Sequence, residues 1–256
     1  SSLGIICILY MLPRILSAQF GLLDDGISLF LGQKLPEDPL APFTFMRYSG
    51  RFFPIFWLYQ SLLFQVAKFT PQRWFLANTV LLIVLSILLY LIALRLTRNR
   101  LAAWLASVFF ILSGPVVESF YTISKSEPLM LLFVSLAVLL SFFFLKPVSP
   151  AKKLGVFISL TLLLSCAYAS KETAIVLIGI SAGWLFLALI FNRKSKNPPQ
   201  VQMAAWLLAA SLTAAALYFG VRTIFHTVPL AEGGYSSLYR LEIESMTDQL
   251  LRWLGR

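Results

Sequence analysis

Two adjacent carboxylates, Asp24 and Asp25, stand in the run Phe20-Gly21-Leu22-Leu23-Asp24-Asp25-Gly26, directly after the first apolar stretch of the chain. Neighbouring carboxylates repel, so one holds its proton more tightly, which favours a general base or a shared cation. Asp and Gly are also ordinary turn residues, so the spacing leaves a solvated turn open. A second cluster, Arg47-Tyr48-Ser49-Gly50-Arg51-Phe52-Phe53-Pro54, places two guanidiniums on either side of a glycine. Guanidinium binds phosphate through paired hydrogen bonds, and simple attraction to anionic headgroups is the competing role.

Two shorter clusters combine lysine with glutamate. The segment 118–127 holds Glu118 and then Ser124-Lys125-Ser126-Glu127-Pro128; the segment 170–172 reads Ser170-Lys171-Glu172, followed by Thr173. Pro128 and Glu127 suit the first turn of a following helix, and Ser170 can cap the next one. Lys125 and Lys171 oppose those helix dipoles and need another reason: a phosphate to bind, or an ion pair. For Lys171 the candidate partners are Glu172 and the Asp24-Asp25 pair. His226 is the single histidine, which excludes a His-rich zinc site. There is no Gly-rich nucleotide-binding loop and no Gly-x-Ser-x-Gly elbow. No metal site is assigned and no cofactor is required; a divalent cation shared by Asp24 and Asp25 is the one exception these residues allow.

The elements that must position these groups are written in the composition. Of 256 residues, 59% are hydrophobic and only 12% charged, with a mean hydropathy of +0.81. Soluble domains carry about 25% charged residues, so this chain has too little polar surface for a water-soluble globule. Apolar runs at 3–20, 74–94, 101–117, 128–145, 154–169, 173–191 and 201–220 approach the roughly 20 residues that cross a bilayer. The fold class is therefore an all-α polytopic membrane protein of about seven transmembrane helices. The stretch 51–69, interrupted by Pro54, Gln60, Gln65 and Lys68, reads as an amphipathic interfacial helix within a long outer loop, 21–73.

Charge sets the orientation. Lys and Arg total 21 against 11 Asp and Glu, a net +10. Three connections carry only positive charge: Arg95, Arg98 and Arg100; Lys146, Lys152 and Lys153; Arg193, Lys194 and Lys196. Seven spans place all three on one face, cytoplasmic by the positive-inside rule, and every acidic residue on the other. The excess of positive charge thus orients helices, and no nucleic-acid partner is expected. Cys7 and Cys166 lie inside apolar runs as packing residues. The tail 221–256 is polar and is expected to be truncated before further spans or a soluble domain.

With these residues in place the chain resembles the GT-C superfamily, polytopic glycosyltransferases that use polyprenyl- or dolichyl-phosphate sugars. It is similar in pattern to protein O-mannosyltransferases, the aminoarabinose transferase of lipid A and the TPR-containing mannosyltransferases. Asp24-Asp25 falls where that superfamily carries its acidic pair, and Ser170-Lys171-Glu172-Thr173 resembles the Lys-Glu motif of the TPR-containing relatives. Ser124-Lys125-Ser126-Glu127-Pro128 departs from their Arg-Glu version, and Gly50-Arg51-Phe52-Phe53-Pro54 stands in place of a His-Pro-Pro signature. The resemblance implies a seven-span module over 1–220.

The implied function is inverting transfer of a sugar from a polyprenyl-phosphate donor to a hydroxyl of a lipid, glycan or protein. Transfer is expected on the non-cytoplasmic face of a multi-pass protein, with a bacterial inner membrane and a periplasmic or exterior active site as the expected setting. Asp24 is the expected base, with Asp25 as its helper. Arg47, Arg51, Lys125 and Lys171 are the expected donor-phosphate ligands, supported by Glu127 and Glu172. The rival is a non-enzymatic carrier or transporter of lipid-linked sugar, or a structural membrane subunit. Paired broken helices at mid-membrane would favour transport.

Overall fold

A computed structural model describes residues 2–21, 24–45, 51–145, 149–191 and 199–225, with the backbone alone for Asp24. Among these residues there are helices and no strand. In chain order they are α1 (Ser2–Leu16), α2 (Asp24–Lys34), α3 (Ala41–Thr44), α4 (Pro54–Ala67), α5 (Pro71–Thr97), α6 (Arg100–Ile111) and α7 (Gly114–Phe120). Then come α8 (Glu127–Ser141) with a 3-10 turn at Phe142–Leu145, α9 (Pro150–Ser170), a second 3-10 turn at Glu172–Ile175, α10 (Val176–Phe191) and α11 (Pro199–Phe225).

Local chemistry starts and stops these helices. Pro42, Pro54, Pro71, Pro115, Pro128 and Pro150 each fall in a first turn, where a missing N–H leaves no hydrogen bond unmade. Arg98 closes α5 in the left-handed region at φ 55°, and the Asn99 side chain then accepts from the Leu101 and Ala102 N–H groups to open α6. That two-residue turn makes α5 and α6 an antiparallel hairpin.

The chain is an all-α polytopic membrane protein. α5, α8 with its 3-10 extension, α9, the Glu172–Phe191 stretch and α11 are each long and apolar enough to cross a membrane. The expected span 101–117 is broken: α6 and α7 meet at 56° and form a sixth crossing only when taken together. Gly114-Pro115 explains the bend, because Pro115 cannot donate to the preceding turn. The expected first span, 3–20, is a 15-residue helix ending at Leu16. It measures about 22 Å at helical rise, short of a hydrocarbon core of roughly 30 Å.

The interior falls into three apolar clusters. One joins α1, the end of α4, α5, α6 and α7 around Cys7, Trp74, Phe75 and Phe120. A second joins α8, α9 and α11 around Leu160, Tyr168, Ala210 and Tyr218. The third lies within the 21–73 segment, where Leu31 and Ala41 meet Phe53, Phe56 and Trp57. Phe52 and Phe53 are neighbours in sequence yet enter different clusters, Phe52 the second and Phe53 the third. The start of α4 therefore joins the outer segment to the second half of the bundle.

α4 is a helix where the 51–69 stretch predicts one, but its polar residues are turned the other way. Gln60 is buried and donates to the Ile123 carbonyl at 2.9 Å; Gln65 donates to the Gly32 carbonyl at 2.7 Å. Leu62 and Val66 are exposed instead. The glutamines are staples to neighbouring backbone, so α4 offers apolar side chains outward.

α2 and α4 approach closely at Gly32, where a Cβ would collide with the Phe64 side chain. Gly32→Ala must push α2 off α4, at a cost of about 1–3 kcal/mol for such overpacking, and should lower the melting temperature in detergent. Gly26, on the same helix with nothing within 4 Å of its Cβ position, is the control. Gly26→Ala should hold or raise the melting temperature, since alanine is the better helix former.

Candidate functional site at one end of the bundle

Hydrogen bonds gather the end of α1, the start of α4, the first turns of α5, the 118–127 segment, the 170–172 segment and the end of α11 at one end of the molecule. Arg14 Nε donates to the Tyr121 carbonyl at 2.9 Å, with its guanidinium 4.3 Å from the Phe75 ring centre. Tyr121 Oη donates to the Tyr10 carbonyl at 2.6 Å. Asn78 Nδ2 donates to the Phe120 and Thr122 carbonyls at 3.1 and 3.2 Å. With Gln60 on Ile123, four successive carbonyls, 120 to 123, are held by side chains from three helices, α1, α4 and α5. Loop carbonyls near an apolar core need such partners.

The acidic pair opens α2, where the first-turn N–H groups favour negative charge. Asp25 is 7% exposed, and its Oδ2 accepts from the Gly21 N–H at 2.6 Å. A Cβ on Gly21 would lie 3.3 Å from that oxygen, so glycine suits the close turn. Asp25 is thus a buried brace of the turn that leads into Asp24. Also buried in this helix pair are Ser28 Oγ, Trp57 Nε1, Gln60 Oε1 and Ser61 Oγ, which have no protein hydrogen-bond partner among the described residues.

The cations are matched with carboxylates. Lys125 Nζ lies 2.8 Å from Glu118 Oε1, and Lys171 Nζ lies 2.8 Å from Glu127 Oε1. Among the described side chains Lys171 therefore pairs with Glu127 and not with Glu172 or Asp25, the neighbours its position in sequence suggests. Backbone geometry explains the difference: Lys171 is extended between α9 and a 3-10 turn that begins at Glu172, so successive side chains diverge. Ser170 does not cap the next helix; its Oγ donates back to the Cys166 carbonyl at 2.7 Å. Arg51 lies with its guanidinium 5.7 Å from the Phe53 ring centre. Arg47 lies outside the described residues.

Glu172 instead faces α11. Its Oε1 accepts from the Phe52 N–H at 2.5 Å and lies 3.8 Å from Arg222 Nη1. Tyr218 Oη donates to the Phe52 carbonyl at 2.7 Å, and the Arg222 side chain also reaches that hydroxyl. Neither Arg222 nor Tyr218 stands out in the sequence: Arg222 lies beyond the expected boundary of 220, which α11 passes by five residues to Phe225, and Tyr218 reads as one more apolar residue of the span. A signal was present: Tyr218 and Arg222 are four apart, one helical turn, and Arg222 is the only charge in α11. Among the described residues no group of three or more His, Cys, Asp or Glu gathers to hold a metal ion.

Membrane-spanning helices with charged and hydrogen-bonding groups drawn to one end define a multi-pass integral membrane protein. Residues 38–228, about three quarters of the chain, match the family model for dolichyl-phosphate-mannose-protein mannosyltransferase, and the chain belongs to that family, one of the GT-C glycosyltransferases. The match takes in Arg51, Lys125, Lys171, Glu172 and Arg222 and begins after Asp24-Asp25. No curated protein and no solved structure matches the chain. Membership identifies a glycosyltransferase of the kind that draws on a dolichyl-phosphate sugar.

The Lys171–Glu127 pair ties the end of α9 to the start of α8. Lys171→Glu sets two carboxylates together and should lower the melting temperature in detergent. Adding Glu127→Lys should recover most of the loss, for a coupling of about 1 kcal/mol, the upper end for partly exposed pairs. A double variant no more stable than Lys171→Glu would show that packing, not this pair, joins the two helices.

Proposed function

We propose that the protein transfers a sugar from a polyprenyl-phosphate donor to an acceptor hydroxyl at the bundle end that carries Asp25, Arg51, Lys125 and Lys171. Family membership supports the donor class. The observation that carries the location is the gathering of these cations and carboxylates at one end, with apolar helix surface elsewhere for the lipid chain. The three all-positive connections at the other end support a non-cytoplasmic face for this one by the positive-inside rule, in keeping with a periplasmic or exterior site on a bacterial inner membrane. The exposed apolar side of α4 fits a helix resting at the interface.

In this reading the Asp24 carboxylate takes the proton of the acceptor hydroxyl as its oxygen attacks the anomeric carbon. The bond from that carbon to the phosphate oxygen breaks, and the electron pair leaves with the lipid phosphate. Configuration inverts. Asp25, braced against Gly21, holds the turn from which Asp24 acts. Buried Ser28, Trp57, Gln60 and Ser61 supply unmatched donors and acceptors, the complement that water or sugar hydroxyls require. Arg51 and Lys171 stabilise the charge that grows on the leaving phosphate; Lys171 does so while carrying Glu127 on its other side.

Asp24→Asn should abolish conversion of polyprenyl-phosphate mannose in membranes holding the acceptor. Arg51→Ala and Lys171→Ala should lower turnover at saturating donor by about 10²–10³, the size of a lost oxyanion-type contact, with expression unchanged. Full turnover in Asp24→Asn would remove it as the base. Donor movement across proteoliposomes without any transfer product would turn the assignment toward a carrier.

A further inference from the structure

The hydrogen bonds around Phe52 close on themselves. The Phe52 N–H donates to Glu172, Glu172 pairs with Arg222, Arg222 reaches Tyr218, and Tyr218 donates to the Phe52 carbonyl. Phe52, Tyr218 and Arg222 are each at most 6% exposed. Both backbone polar groups of one residue in the outer segment, and so the peptide units on either side of it, are thereby fixed by side chains more than a hundred residues away in sequence. The ring of Phe52 adds 5.8 Å contact with that of Tyr218.

We infer that Tyr218, Glu172 and Arg222 form a latch that positions Arg51 for the donor phosphate. The inference rests on the function proposed for Arg51. Arg51 is the residue before the fixed peptide, so its Cα is one bond from an amide that cannot move without breaking the circuit. Nothing else in the second half of the bundle need contact the donor for this effect. A guanidinium on a loop tip samples many positions; one hung from a clamped peptide is preorganised, and misplacement by about 1 Å can cost on the order of 10² in rate. The latch also joins α11 to the outer segment, so these three are positioning residues and none needs to touch the reacting atoms.

Tyr218→Phe is the clean probe, because it removes one hydroxyl and keeps the ring packed against Phe52 and Tyr168. Glu172→Gln is the second variant, keeping an acceptor for the Phe52 N–H while removing the counter-charge of Arg222. Amide exchange read on the full-length protein in nanodiscs should show the peptide containing Phe52 exchanging faster in both. Conversion of polyprenyl-phosphate mannose should fall about 10-fold or more in Tyr218→Phe, yet less than about 2-fold when the same change is made in Arg51→Ala, the non-additivity expected of residues acting through one another. Unchanged exchange would overturn the latch, and additive losses would overturn its action through Arg51. Wild-type protein that converts no donor would instead remove the transferase reading, while exchange at Phe52 still decides the latch.

Discussion

A guanidinium inside an apolar helix cannot stand without a counter-charge, and Arg222 is such a group, 6% exposed near the end of α11. Its partner, Glu172, comes from the junction of α9 and α10, and that carboxylate in turn holds the backbone of Phe52. The requirement to neutralise one buried charge therefore decides where the outer segment docks on the bundle. α4 follows from there: with Phe52 fixed, Phe53, Phe56 and Trp57 meet α2 and α3, and Gln60 reaches the 118–127 segment.

The same logic runs through the rest of that end. Side chains from α1, α4 and α5 take up backbone carbonyls 120 to 123, and lysine–glutamate pairs close the remaining charges. In surroundings poor in water, hydrogen bonds and ion pairs are stronger and orphaned groups more costly. The result is a polar shell built on helix ends, with Asp25 in the first turn of α2 and Arg51 just before α4. Preorganised groups of this kind suit chemistry in which a phosphate gains charge as it leaves.

Much of this was legible from residue type alone. Long apolar runs and scarce charge point to the helical membrane fold, and Pro128 marks the helix start that its place in the sequence suggests. The Lys-Glu segments lie at the bundle end, as their spacing implies. Three things were not legible. The pairing of Lys171 with Glu127 depends on the extended backbone at Lys171, which one-dimensional spacing does not carry. The inward turn of Gln60 and Gln65 inverts the polarity that a helix wheel assigns, because neighbouring carbonyls, not water, satisfy them. Arg222 falls within 221–256, which reads as a polar tail; only the helix continuing to Phe225 reveals that it is buried.

The central claim is that lipid phosphate docks where the latch holds the outer segment. A polyprenyl phosphate carrying a photoreactive group beside its phosphate, crosslinked to the full-length protein in nanodiscs and mapped by peptide sequencing, tests it most directly. Labels are expected within 47–57 and in the 118–127 and 170–172 segments, lost in competition with unlabelled polyprenyl-phosphate mannose. Competable labels confined to the opposite end, around Arg95–Arg100 or Ser149–Lys153, would contradict it.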